Sequence, residues 1–191
     1  MTKMTNRAKQ AEATKNKIFD CGVTLIRKYG FDQVTVEQIS KEAGVSIGTY
    51  YYYFESKFDL FIELFKRGDE YFQNNVAGNL MSEDTSAQII EYFDKYAEFN
   101  ILNGIDMVKK LYTANNKMFI TDGRAMQSIL TEIIEKGQAN KEIPSNLTSQ
   151  EITNALFITA RGVVYEWCLY DGNMDLKQEM KKIITIMVNG L

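Results

Sequence analysis

Apolar residues recur every three to four positions along nearly the whole chain, with charged and amide residues between them, and a single proline breaks the pattern. That repeat is the period of an amphipathic α-helix rather than the two-residue alternation of a strand, so it predicts an all-α fold. The pattern says most over residues 35–57, TVEQISKEAGVSIGTYYYYFESK. Thr35 and Gln38 have the spacing of a capping box, which predicts a helix opening at Thr35. Val36, Ile39 and Ala43 share one face of it, Gly44 supplies the left-handed residue that ends it, and Val45 plugs the angle that follows. Ser46 is a good N-cap for a second helix over residues 47–54. Ser56 and Asp59 have the spacing of another capping box. A third helix is predicted from there, with Leu60, Phe61, Leu64, Phe65, Tyr71 and Phe72 along a mostly apolar stripe.

Two short helices joined by a glycine turn form a helix-turn-helix, whose second helix can dock in a DNA major groove; the same pattern also occurs in ordinary helical bundles. The surrounding residues add a resemblance. From about residue 16 to residue 60 the chain closely resembles the N-terminal domain of TetR-type (tetracycline-repressor-like) transcriptional regulators. The likeness is carried by an apolar first helix ending near Tyr29-Gly30-Phe31, then Thr35-Val36, Ile39, Ala43-Gly44-Val45-Ser46, Gly48-Thr49, Tyr51, Tyr53-Phe54 and Ser56-Lys57. Beyond Leu60 it lies in length, helical pattern and the segment 162–170, GVVYEWCLY, which is similar to the penultimate helix of some members. The resemblance implies a three-helix DNA-binding domain over residues 1–57 and a larger helical ligand-binding and dimerisation domain over residues 58–191.

On the recognition helix the resemblance assigns Gly48 to close backbone approach, Thr49, Tyr53 and Lys57 to phosphate contacts, and Tyr51 to base edges or phosphate. Thr35, Ser46 and Tyr52 complete the expected DNA-binding set, with Lys41 as a phosphate contact on the polar side of the preceding helix. The helix has none of the Arg, Lys, Asn or Gln side chains that bind base edges in pairs of hydrogen bonds. Ile47 departs from the family pattern, and either rests on a thymine methyl or packs beneath the first helix; its place on the leading turn favours the DNA side. Tyr50 stands at a usually aliphatic core position and is expected to be buried.

Charge agrees with this division. The formal net charge is −3, yet residues 1–57 hold nine Lys or Arg against six Asp or Glu, and residues 58–191 hold thirteen against nineteen. Lys3, Arg7, Lys9, Lys15 and Lys17 precede or open the first helix and suit phosphates or a minor groove, although a solvated terminus has the same composition. A short helix with few base-reading groups discriminates weakly, so a homodimer reading a near-palindromic double-stranded operator is expected. Its interface is expected from the last two helices, residues 149–170 and 176–189, which are apolar almost all the way round, with Ala160 and Gly162 allowing close approach.

Between these parts, residues 71–139 are crowded with aromatics and methionines. Tyr92, Phe93, Tyr96, Phe99, Met107, Tyr112, Met118, Phe119 and Met126 lie on several predicted helices, with breaks near residues 81–86, 103–104 and 121–123. Rings and methionines at helical spacing commonly form core. The resemblance instead implies an inducer cavity here, so Tyr92, Phe93, Tyr96, Phe99, Met107, Tyr112, Phe119 and Met126, with Trp167, are the candidate ligand contacts. A ring-lined cavity with few charges would suit an apolar or flat aromatic small molecule, or a cation over the ring faces. Ligand binding would then shift a population, swinging the reading heads off their groove spacing through the linkage that begins at Ser56 and Lys57.

The chain has no histidine, which removes His-dependent triads and His-ligated zinc, and no glycine-rich phosphate loop follows a strand pattern. A non-enzyme without cofactor or metal is expected. Cys21 and Cys168 are far apart in apolar helical patterns, as packed reduced thiols are. No apolar run is long enough for a bilayer and the N-terminus is not a secretory signal, so the expected location is cytoplasmic, with no membrane partner. Two alternatives stay open: a DNA-binding regulator controlled by a protein partner, and a helical enzyme or carrier.

Overall fold

The computed structural model describes residues 5–113, 116–121 and 123–191. Among these every regular element is helical: α1 Asn6–Tyr29, α2 Val36–Ala43, α3 Ile47–Tyr53, α4 Asp59–Asn75, α5 Thr85–Asn103, α6 Ile105–Leu111, a 3-10 turn Met118–Ile120, α7 Ala125–Ala139, α8 Ser149–Leu169 and α9 Leu176–Asn189. They form two compact units, one ending at Phe65 and one running from Lys66 to Leu191, so the division falls inside α4. None of the described helices is long and apolar enough to cross a membrane.

In the first unit α1 buries Ile18, Phe19, Gly22, Val23 and Ile26, the stripe that a 3.6-residue repeat generates. Gly22 allows close packing, since a Cβ there would stand 2.8 Å from Leu60 Cδ1 and 3.6 Å from Ile39. Both halves of the Thr35–Gln38 capping box are formed, and Gly44 ends α2 in the left-handed region at φ 65°. Two local expectations change. Helix α4 opens at Asp59 rather than Ser56, because the Asp59 carboxylate turns back to accept from Glu55 N–H at 2.7 Å, Ser56 N–H at 3.3 Å and Ser56 Oγ at 2.9 Å. The Ser56 hydroxyl therefore donates to the carboxylate instead of capping the helix. Helix α3 stops at Tyr53, one residue early, because Phe54 leaves in an extended conformation with its ring buried in the core.

In the second unit α5 packs on α7 and α9, α8 packs on α7 and α9, and α6 lies against α5 and α8. Rings fill the centre: Tyr92, Phe93 and Tyr96 of α5 each meet Phe157 of α8 nearly edge-on, at centroid distances of 6.2, 5.6 and 5.9 Å. Their hydroxyls are satisfied, Tyr92 donating to Met126 O at 2.6 Å and Tyr96 pairing with Tyr112 at 2.7 Å. The Cys168 thiol is buried, and that desolvation pushes its pKa up to about 11, against a smaller opposing pull from Lys109. Burial likewise raises the Cys21 thiol.

Helix α5 meets α7 where Gly137 faces Thr85, whose hydroxyl and N–H both donate to Glu142. A Cβ on Gly137 would stand 2.5 Å from Thr85 Cγ2 and 2.9 Å from its Cβ, close to the backbone and unable to swing away. Gly137→Ala is therefore expected to destabilise the protein by about 1–3 kcal/mol despite the better helix propensity of alanine. Urea unfolding followed by circular dichroism measures it, and an unchanged midpoint would refute the clash.

Candidate nucleic-acid interface and effector cavity

The local chemistry of residues 35–54 sets what α3 presents. Gly44 turns the chain, Ser46 Oγ accepts from Thr49 N–H at 3.0 Å and lies 2.8 Å from Thr49 Oγ1, and α3 follows at once. Tyr50, Ile39 and Ala43 are buried on the inner side. The Tyr50 hydroxyl donates to Ser56 O at 3.3 Å, and burial raises its pKa, so this phenol stays neutral. The outer side carries Ile47, Tyr51 and Tyr52, with 44%, 50% and 80% of their surface exposed. Tyr52 stands edge-on to Tyr53 at 4.9 Å. Large apolar side chains exposed together on one short helix mark a surface that meets another molecule.

Among the other expected DNA contacts, Thr35, Lys41 and Ser46 are exposed, while Thr49 and Tyr53 are half-buried. Gly48 is exposed, and a Cβ there would meet only Ser46 Oγ, at 3.7 Å, so nothing within the chain requires a glycine at this position. Lys57 is placed differently from the rest. Its ammonium donates to Phe31 O and, at 2.6 Å, to Val34 O, and lies 4.0 Å from the Phe31 ring centroid. It clamps the loop between α1 and α2.

Four of the five basic N-terminal residues lie on α1. Helix α1 begins at Asn6 with Thr5 as its cap, so Arg7, Lys9, Lys15 and Lys17 are helical, and Lys3 lies outside the described residues. Lys15 pairs with Glu63 at 2.5 Å and lies 5.8 Å from the Phe54 ring centroid, which ties α1 to α4 within this unit.

The second unit has a half-open cavity of about 490 Å3 between α7, α8 and the 3-10 turn, lined by Phe119, Arg124, Gln127, Asn154, Phe157 and Arg161 among others. Of the nine candidate ligand residues, Phe119 lines it. Tyr92, Phe93, Tyr96, Met126 and Trp167 lie in the hydrophobic core with Phe99 and Tyr112 packed against it, and Met107 is fully buried. The lining is also not charge-poor as expected: it includes two guanidinium groups and, among the described residues, no Asp or Glu. Guanidinium groups in the wall suit an anion.

Arg161 Nη1 donates to Phe119 O at 2.9 Å, and its guanidinium lies 5.9 Å from the Phe119 ring centroid. Arg124 Nε donates to Asp69 Oδ2 at 3.2 Å. Sequence reasoning passed over both arginines, although a signal was present. The chain has five arginines, and the last two, one of them inside the apolar run of α8, are these two.

The position of Lys57 gives a stability test. Lys57→Ala removes two charge-assisted hydrogen bonds to loop carbonyls and is expected to cost about 2 kcal/mol, whereas Lys41→Ala, on an exposed face, leaves stability within about 0.5 kcal/mol. Thermal unfolding of the two variants checks this. Equal melting temperatures would mean that the clamp is not formed in solution.

Three comparisons meet this geometry. Residues 18–64 match the family described as bacterial regulatory proteins, tetR family. The chain is 26% identical over 194 residues to the fatty acid metabolism regulator protein of Bacillus subtilis (strain 168), covering 96% of this chain and 98% of that protein. It is 21% identical to the HTH-type transcriptional regulator AcrR of Shigella flexneri, covering 97% and 93%. Among solved structures it resembles the transcriptional regulator FadR from Bacillus subtilis in complex with stearoyl-CoA, with a TM-score of 0.72 at 22% identity over 92% of this chain and 98% of that one. It also resembles Thermus thermophilus FadR in complex with lauroyl-CoA, with a TM-score of 0.70 at 18% identity over 93% and 94%. The helix-turn-helix with its outward-facing α3 and the family match across it agree: residues 18–64 are a DNA-binding domain of the tetR family of bacterial regulatory proteins, and the chain is a DNA-binding transcriptional regulator.

Proposed function

We propose that this protein is a homodimeric repressor that holds a near-palindromic operator through α3 and leaves it when an acyl thioester of coenzyme A occupies the α7–α8 cavity. The cavity carries the effector part of this reading. Its two arginines suit phosphate or carboxylate, while Phe119, Phe157 and Ile158 offer apolar surface beside them. An amphipathic acyl thioester has both chemistries, and two of the similar structures hold such molecules. This narrows the apolar or aromatic inducer expected from the sequence to one with an anionic head.

On DNA, Ile47 and Tyr51 supply base contact by apolar surface and a hydroxyl. Thr35, Lys41, Ser46, Thr49, Tyr52 and Tyr53 face phosphates, and Gly48 lets the backbone come close. Lys57 acts on this surface by positioning the loop that supports it. Pairing of two copies has a matching face: Ile158, Gly162, Tyr165 and Leu169 follow one another at turn spacing on α8, and Ile183 and Ile186 do so on α9. Gly162 has open space where its Cβ would be, which suits a helix from a second copy.

The operator can be found by selecting bound duplexes from a random pool with the purified protein. Ile47→Ala is expected to change base preference at one position of each half-site by about 1 kcal/mol while leaving the salt dependence unaltered. If the variant selects the same sequences, the apolar contact is wrong. Saturating stearoyl-CoA is expected to raise the melting temperature and release the operator in a gel shift, and Arg161→Gln to weaken stearoyl-CoA binding about tenfold. An operator complex that survives saturating stearoyl-CoA and lauroyl-CoA would remove the effector part and leave the DNA part standing.

A further inference from the structure

Arg124 faces two ways. It lines the cavity, and its Nε also holds the Asp69 carboxylate of α4 at 3.2 Å. The pair is largely withdrawn from water, with Arg124 10% and Asp69 24% exposed, so its attraction is weakly screened. The other carboxylate oxygen accepts the Met126 N–H at 3.1 Å, which ties α4 to the first turn of α7. Immediately before Asp69, Gly68 lies so close to α5 that a Cβ would stand 3.2 Å from the Phe99 ring. Helix α4 is thus held on two sides at residues 68–69, three residues after the division between the two units. This is also the helix that begins, at Asp59, in the DNA-reading unit.

Resting on the effector reading above, we propose that the Arg124–Asp69 ion pair is a latch: the anionic head of the effector competes with Asp69 for the Arg124 guanidinium, so α4 is held only while the cavity is empty. The empty form, with the pair closed, is the operator-binding form. An anion in the cavity draws Arg124 towards itself, and Asp69 keeps only the Met126 N–H. A neutral ligand of the same shape fills the cavity without opening the pair. The latch therefore determines which bound molecules act as effectors, and it makes release a property of the head group rather than of the acyl chain.

Linkage makes the latch measurable, because the factor by which stearoyl-CoA weakens operator binding is the factor by which the operator weakens stearoyl-CoA binding. Asp69→Asn keeps an oxygen for the Met126 N–H and removes the charge that Arg124 pairs with. Without effector, this variant is expected to bind the selected operator about 5- to 50-fold more weakly than wild type, and, in the opposite direction, to bind stearoyl-CoA more tightly. The further loss of operator affinity on adding stearoyl-CoA should shrink to within about twofold. A merely structural role for Asp69 would weaken both affinities together.

Arg124→Lys is the second variant, retaining the charge in the cavity but lacking the Nε donor; it is expected to lose operator affinity in the same direction while still binding stearoyl-CoA. Wild-type operator affinity in both variants without effector overturns the latch, as does stearoyl-CoA binding to Asp69→Asn no tighter than to wild type. If wild type ignores stearoyl-CoA, the effector reading fails and the latch falls with it; if stearoyl-CoA releases the operator from Asp69→Asn by as large a factor as from wild type, the latch alone is overturned.

Discussion

What α3 offers to another molecule depends on one backbone constraint, the left-handed turn at Gly44. With Gly44 at φ 65° the chain reverses between two helices too short to stand alone, and the Thr35 and Ser46 caps on either side satisfy N–H groups that such short helices would leave open. That angle turns Tyr50 inward and leaves Ile47, Tyr51 and Tyr52 outside. A residue with a Cβ at position 44 would be strained, and because α3 has only seven residues, any shift of the turn moves all of its outward side chains together. The Lys57 clamp on Phe31 and Val34 steadies the loop that enters α2, so the reading surface is held at both ends of the motif.

The N-terminal motif was legible because its signals are local. A capping box, a glycine at a helix end and an N-cap serine each act within four residues, and α2, α8 and α9 open where such signals place them. Even there, Ser56 and Asp59 misled: the spacing was right, but a carboxylate at the third helical position can turn either way, and only the packed structure shows it closing the preceding turn. The expected phosphate role of Lys57 passed over the same kind of fact, since a carbonyl pair more than twenty residues earlier in the chain takes up its ammonium.

The effector region was harder to read for a related reason. A tyrosine or phenylalanine at helical spacing has the same sequence signature whether it lines a hollow or fills a core, and Tyr92, Phe93, Tyr96 and Phe157 are joined into a packed ring cluster. The hollow forms instead where the cluster stops, beside the 3-10 turn and the start of α7, and its positive charge comes from Arg124 and Arg161 among amides and hydroxyls. Arg161 stands out as a charge inside the apolar run of α8, but its sharing of one cavity wall with Arg124 depends on α7 and α8 packing side by side. The chemistry of this site belongs to the tertiary fold more than to any segment of it.

The buried thiol on α8 bears on which signals this regulator can answer. A sulfur with a pKa near 11 is ionised at neutral pH to only about one part in ten thousand, and it is the thiolate that reacts with peroxides and disulfides. Cys21, partly exposed on α1, is shifted in the same direction. The Cys168 sulfur thus serves α8 as a small packing group, kept from oxidants by the same burial that keeps it protonated.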